Sequence, residues 1–188
     1  MSTAANQTTK HWTYQDYLQL EDEHRYEIIA GQLIMVPAPS SFHQWYSRNL
    51  EVLLFEFVRA HNLGYVLDAP IDVILNPDNV VQPDILFIAR ERREIIQERG
   101  IFGAPDLVVE IVSPSSVHHD YHTKQRLYER FGVREYWLVD PANRTVDVLA
   151  LSGEGYISNS FASETGQVTS KVLEGLEVSL DDVFQTDF

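Results

Sequence analysis

The sequence predicts an α/β fold built on a mixed β-sheet, an α+β arrangement in which strands and helices neither alternate strictly nor segregate. Two kinds of signal carry this. Short apolar runs bounded by Pro, Gly and Asn recur along the chain, and two segments, 41 to 61 and about 117 to 131, have helical character. At 188 residues the chain is long enough to bury one sizeable core and too short for two generous ones. Residues 1–12 read as a mobile lead and 13–188 as a single domain, with no internal repeat or linker to divide it.

The elements follow in order. Thr13 and Asp16 form a capping-box pattern, and Tyr14, Tyr17 and Leu18 continue it as a short helix ending near Leu20. RYEIIAGQLIMV is two apolar runs split by Ala30-Gly31-Gln32, the pattern of a β-hairpin, which Pro37 and Pro39 end. From Ser41 to His61, Trp45, Leu50, Leu53, Leu54, Phe57 and Val58 recur at helical spacing, and Gly64 is placed to stop that helix. YVLDAPIDVILN and VVQPDILFIA, joined by Pro77-Asp78-Asn79, read as an antiparallel pair. Residues 90–99 are charged and read as a helical or irregular surface segment. LVVEIVS is a buried strand, followed by a helix from about Val117 to Phe131 that Gly132 closes. EYWLVD and TVDVLAL form another hairpin, and the remainder is β-rich with a short final turn.

Composition narrows the function classes. The chain is 44% hydrophobic and 22% charged, and no apolar run approaches the length of a membrane span. The amino-terminal stretch has no apolar h-region, so a cytoplasmic location is the default expectation. With no cysteine, disulfides, zinc–thiolate sites and cysteine nucleophiles are excluded, and any metal must sit on oxygen or imidazole. The net charge of −14 argues against a generic nucleic-acid binder. Its distribution softens that: residues 90–144 hold nine basic and nine acidic side chains, so the excess lies elsewhere.

One feature of LVVEIVS demands a partner. The two-residue period puts Val108, Glu110 and Val112 on one face and Leu107, Val109 and Ile111 on the other, so a carboxylate projects from a buried strand. Asp84, at the start of QPDILFIA, meets it if the two strands are neighbours with these residues on one face. Two carboxylates in contact share a proton or bind a cation, and hard oxygen donors favour Mg2+ or Mn2+ over zinc. On the helix that follows, Asp120, Lys124 and Tyr128 recur at i, i+4 and i+8 and share a face. His118, His119 and His122 are a further cluster, read as a solvated helix start.

The order of a hairpin, a long helix, PD at one strand, Glu on the next, then a helix and EYWLVDP resembles the PD-(D/E)XK nuclease superfamily. RYEIIAGQL, PSSFHQ, VVQPDILFIA, PDLVVEIVSPSS, the D-x-x-x-K-x-x-x-Y spacing and GVREYWLVDP together resemble the Uma-type family of putative restriction endonucleases, from about Thr13 to GLEVSLDDVF. The resemblance implies a restriction endonuclease-like core, with a central mixed sheet flanked by helices and an N-terminal hairpin. It also implies a metal-dependent endonuclease hydrolysing DNA phosphodiester bonds, with DNA as partner and a homodimer as the expected assembly. In that reading Asp84 and Glu110 are the metal-binding acids, the Ile111 carbonyl is a further metal ligand and Glu27 is a contributing acid. His43, Asp120 and Tyr128 support the substrate or the site. The superfamily pattern wants lysine at position 112, where this chain has Val112, and Lys124 is the expected substitute.

Other readings stay open on the residues themselves. Glu110 would also fit half of a buried salt bridge with Lys124 or an arginine, Asp106 a structural role at its strand's entrance, and His43 a surface or capping role. A nuclease-fold binding module without catalysis, or a β-rich domain with a structural ion site, are the alternative functions.

Overall fold

A computed structural model describes residues 10–22, 24–113, 116 and 119–186. Helix α1 (Tyr14–Tyr17) begins at the expected reciprocal box, in which the Thr13 side chain accepts from the Asp16 amide and the Asp16 carboxylate accepts from the Thr13 amide. Before it, the Trp12 amide donates to the Gly31 carbonyl at 2.8 Å, so residues 10–12 lie along the first hairpin. That hairpin, β1 (Arg25–Ile29) and β2 (Gln32–Val36), turns through Ala30 and Gly31, both with positive φ. The two-residue loop with this geometry matches the natural twist of the strands.

Helix α2 (Ser41–His61) is capped by Ser40, whose hydroxyl accepts from the His43 amide at 3.2 Å, and it buries Leu50, Leu54 and Val58. The residue that stops it is Asn62, at φ 59, rather than Gly64. Asparagine tolerates the left-handed conformation. Gly64 serves the next strand instead: any Cβ there would run into the Ile88 carbonyl.

The segment from 64 to 89 departs from the expected single pair. It forms four strands, β3 (Gly64–Asp68), β4 (Val73–Asn76), β5 (Asn79–Val81) and β6 (Ile85–Ala89), shared between two sheets. β4 and β5 are an antiparallel hairpin in one sheet, while β3 and β6 pair with each other in the other. The chain crosses between sheets at Asp68-Ala69-Pro70 and at Gln82-Pro83-Asp84, where proline cannot donate to a ladder. Both crossings border the cavity described below.

A 3-10 segment (Arg90–Ile95) leads into β7 (Ile96–Gln97), β8 (Gly100–Phe102) and β9 (Leu107–Ile111). The following helix is wound in two ways: His119–Lys124 is π-helical, and α3 (Gln125–Phe131) is a regular helix ended by Gly132 at φ 79. β10 (Glu135–Asp140), β11 (Thr145–Ser152) and β12 (Gly155–Ser163) form a meander. β13 (Gln167–Thr169), β14 (Glu177–Ser179) and α4 (Leu180–Phe184) complete the chain.

The main sheet runs β12-β11-β10-β9-β6-β3 and is mixed, with β9 and β10 parallel and its other pairs antiparallel. A second six-stranded sheet runs β2-β1-β5-β4-β8-β7. One face of the main sheet packs Ile85, Phe87, Leu107, Val109 and Ile111 against Leu50, Leu54 and Val58 of α2 and the α4 end of the chain. The other face packs Leu86, Ile88, Val108 and Tyr136 against α3 and against Ile29, Val73 and Ile101 of the second sheet. β9 is therefore buried on both sides, with the alternation expected of it. No helix among the described residues is long and apolar enough to cross a membrane.

Candidate active site

The two acids meet across a strand pair. β6 and β9 are antiparallel with Ile85 opposite Val109, so the next step of the register sets Asp84 opposite Glu110. Asp84 Oδ2 accepts from the Ile111 amide at 2.7 Å and lies 3.2 Å from His43 Nε2. Ser40 capping holds His43 in the first turn of α2, and this aims the ring at the strand ends.

Lys124 arrives from the π-helical turn. Its Nζ lies 3.0 Å from Glu110 Oε1, 3.0 Å from Glu27 Oε1 and 4.0 Å from Asp120 Oδ1. One turn on, the Tyr128 hydroxyl donates to the same Glu110 Oε1 at 2.7 Å. Tyr136 donates to the Asp120 carbonyl at 3.0 Å and pins the turn. Glu27 Oε1 also accepts from the Gln82 amide at 2.8 Å, tying β1 to the strand crossing that precedes Asp84. Thus the expected face of Asp120, Lys124 and Tyr128 forms, but on a helix that widens at its start, as π turns do at functional sites.

These groups are deeply placed. Glu110 is 4% exposed, Lys124 7% and Tyr128 0%. Above them opens a cavity of about 490 Å³ lined by Glu27, His43, Asp84, Glu110, Ile111, Asp120 and Lys124 among others, and edged by the loop from Val36 to Ser40. Tyr128 lies beneath it.

One ammonium serves several carboxylates, and the protonation behaviour follows. Burial pulls Lys124 down, but Glu110, Glu27 and Asp120 outweigh it and hold the amine charged, well above its ordinary range. Burial pushes Glu110 up; Lys124 opposes this, while Asp120, Asp84 and Glu27 reinforce it, and the net direction is upward. Glu110 rises because burial outweighs Lys124, and Lys124 rises because its acidic neighbours together outweigh its own burial. Asp120 is also raised by burial, against Lys124 and a Ser116 hydrogen bond. Burial lowers His43, but its contact with Asp84, the Ile111 backbone and the charge of Asp120 raise it overall. Burial and Glu110 keep Tyr128 a hydroxyl.

The buried salt-bridge reading of Glu110 with Lys124 is thus realised in the same geometry as the cluster of acids. Among the described residues no three His, Cys, Asp or Glu side chains form a group that would hold a metal ion. The acids that face each other at the cavity are Asp84 and Glu110. This is an all-oxygen set, and magnesium is commonly held by one or two carboxylates with water completing the shell.

Asp106 is a structural residue. Its carboxylate accepts from the Ala89 amide at 2.8 Å and pairs with Arg92 at 3.0 Å and Arg134 at 3.4 Å. Of the histidine cluster, His118 and the side chain of His119 lie outside the described residues, and His122 borders an open depression with Arg126 and Arg130. Arg25 and Gln82, which sequence reasoning missed, both line the cavity. The signals were present: Arg25 stands two residues before Glu27 on a strand, and Gln82 directly precedes Pro83-Asp84.

The mixed sheet flanked by helices is the fold class expected from the sequence. Residues 14–181 match the Uma2 family, described as putative restriction endonuclease, and the chain belongs to that family. The crystal structure of a putative nuclease of DUF820 from Anabaena variabilis is similar, with a TM-score of 0.74 and 22% identity over 92% of this chain and 97% of that one. That likeness is one of fold. No curated protein matches the chain.

Proposed function

We propose that this protein is a metal-dependent endonuclease that hydrolyses DNA phosphodiester bonds, using Asp84, Glu110 and Lys124 with Glu27 in support. The observation that carries the reading is the opposition of Asp84 and Glu110 across β6 and β9, with the Lys124 ammonium 3.0 Å from Glu110. A magnesium or manganese ion held by Asp84, Glu110 and the Ile111 carbonyl would supply positive charge to the pentacovalent phosphate and make an attacking water more acidic.

The chain's own groups do the rest. Lys124, kept cationic by its acidic neighbours, orients water or stabilises charge on the phosphoryl oxygens. Tyr128 fixes Glu110 through one oxygen, and among the described residues the other accepts no hydrogen bond. His43 holds Asp84 from the α2 side, and Asp120 sets the lysine's position. Val112 is 6% exposed and packs in the core between the sheets, which supports a lysine that has moved from the strand to the helix. A homodimer is proposed by analogy with nucleases that cut both strands.

The test is supercoiled plasmid with magnesium or manganese, given to the wild type, Asp84→Ala and Glu110→Ala. The expected outcome is cleavage by the wild type alone. Cleavage unchanged in both variants refutes the assigned site, and DNA binding without cleavage in the wild type assigns the lapsed binding module instead.

A further inference from the structure

The cavity is acidic, yet a nuclease must admit a polyanion. Glu27, Asp68, Asp84, Glu110 and Asp120 line it, in a chain of net charge −14. Two of its basic side chains are already engaged: Lys124 by Glu27 and Glu110, and His43 by Asp84. Arg25 differs. Among the described residues it forms one hydrogen bond, from Nε to the neutral Gln82 Oε1 at 2.9 Å, and no ion pair. Its two terminal nitrogens keep their donors.

This arginine is held in place. Gln82 accepts from Arg25 through Oε1 and donates through Nε2 to Asp72 Oδ1 at 2.8 Å, so its amide has one workable orientation. Tyr17 donates to Asp72 Oδ1 at 3.3 Å, and the Gln82 backbone amide donates to Glu27. Arg25 and Glu27 share a face of β1. The guanidinium is thus half-buried at the cavity, with its aim set from behind and its free edge uncommitted.

We propose that Arg25 is the anchor for a substrate phosphate flanking the bond to be cleaved, with Gln82 as its positioning residue. The proposal rests on the endonuclease reading and gives it a strand-binding contact. A guanidinium offers parallel N–H donors that match two phosphate oxygens, and at a half-buried site that contact is stronger than on an open surface. It also answers the repulsion of the acidic lining, because a phosphate seated on Arg25 meets the one basic side chain at the cavity, among the described residues, that makes no direct ion pair with a carboxylate; Asp72 reaches it only through Gln82.

The experiment measures binding separately from cleavage. A fluorescein-labelled DNA duplex is titrated with the full chain in EDTA across a salt series, by anisotropy, using wild type, Arg25→Ala, Arg25→Lys and Gln82→Leu, with circular dichroism to verify folding. Arg25→Ala is expected to weaken binding about 10- to 100-fold. It should also make the slope of log affinity against log salt shallower by about 0.9. Arg25→Lys should restore the slope but not the full affinity, because the fork is lost. Gln82→Leu should weaken binding and be non-additive with Arg25→Ala. In the plasmid assay the Arg25→Ala loss should fall on KM more than on kcat. If folded Arg25→Ala binds with wild-type affinity and slope, the anchor is refuted while the plasmid result stands by itself. A wild type that neither binds nor cuts DNA overturns the endonuclease reading and the anchor with it.

Discussion

Replacing Lys124 by methionine keeps an unbranched apolar stem and removes the ammonium that lies 3.0 Å from Glu27 and Glu110 and 4.0 Å from Asp120. Removing one partner from a buried ion pair costs about 3–5 kcal/mol. For a domain of this size that corresponds to a fall in Tm of about 6–20 °C near neutral pH. The pH dependence has a defined sign. Burial already raises Glu110 and Asp120, and Lys124 is what restrains them, so its loss raises both further. A carboxyl whose folded pKa exceeds its unfolded value contributes stability that is complete below the unfolded pKa and is lost as pH rises through the folded one. In melts run from about pH 8 down to about pH 5 the deficit of Lys124→Met is therefore largest at the alkaline end and narrows on acidification, as Glu110 and Asp120 take up protons and lose their need for the ammonium. Thermal melts followed by circular dichroism over that range read both effects. A Tm within about 3 °C of wild type at the alkaline end, or a gap that does not change with pH, would refute the assignment of Lys124 as the counter-charge of this cluster.

Two further substitutions separate the site from its scaffold. Tyr128→Phe removes the 2.7 Å bond to Glu110 without changing the ring; it should cost about 1 kcal/mol in urea denaturation. Cleavage by that variant should fall about tenfold, as the loss of a partner that orients a ligand usually does. Glu135→Ala removes the acceptor for Trp137 Nε1, the Ser170 hydroxyl and the amides of Lys171 and Val172, at 2.6–3.0 Å. It should cost about 3 kcal/mol in the same denaturation, with DNA affinity at wild-type level in the folded protein.

Where the determinant of structure is local, it is legible in the sequence. The Thr13 box, the 25–36 hairpin, the apolar stripe of α2 and the alternation of Leu107 to Ile111 all depend on residues within a turn or two of each other. Asp84, Glu110 and Lys124 are legible for a related reason, since the strand period and the helix period fix which side each occupies. Pairing across long separations is not encoded so visibly. The segment from Tyr65 to Ala89 looks like two strands because its apolar runs are continuous, and only packing of the second sheet decides that β4 and β5 part company with β3 and β6. The end of α2 is a choice between Asn62 and Gly64 that the Gly64 approach to Ile88 settles. At the π-wound turn the Asp120 carbonyl is met by Tyr136, 16 positions on, and the Glu135 clamp on residues 170–172 depends on a loop some 35 positions away.

The two-sided burial of β9 has a consequence for how the chain assembles. Leu107, Val108, Val109, Ile111 and Val112 are so alike that sliding the strand by one residue between β6 and β10 would change little in apolar packing. Such a slip would swing Glu110 toward Leu50, Leu54 and Val58 of α2, among side chains with no donor to offer. Burying an unpaired carboxylate there costs several kcal/mol, whereas the native alignment gives it Lys124 and Tyr128. The acid proposed to hold the metal thus also serves as the strand's alignment mark, and a chain with Glu110→Leu should lose fidelity of folding as well as its site.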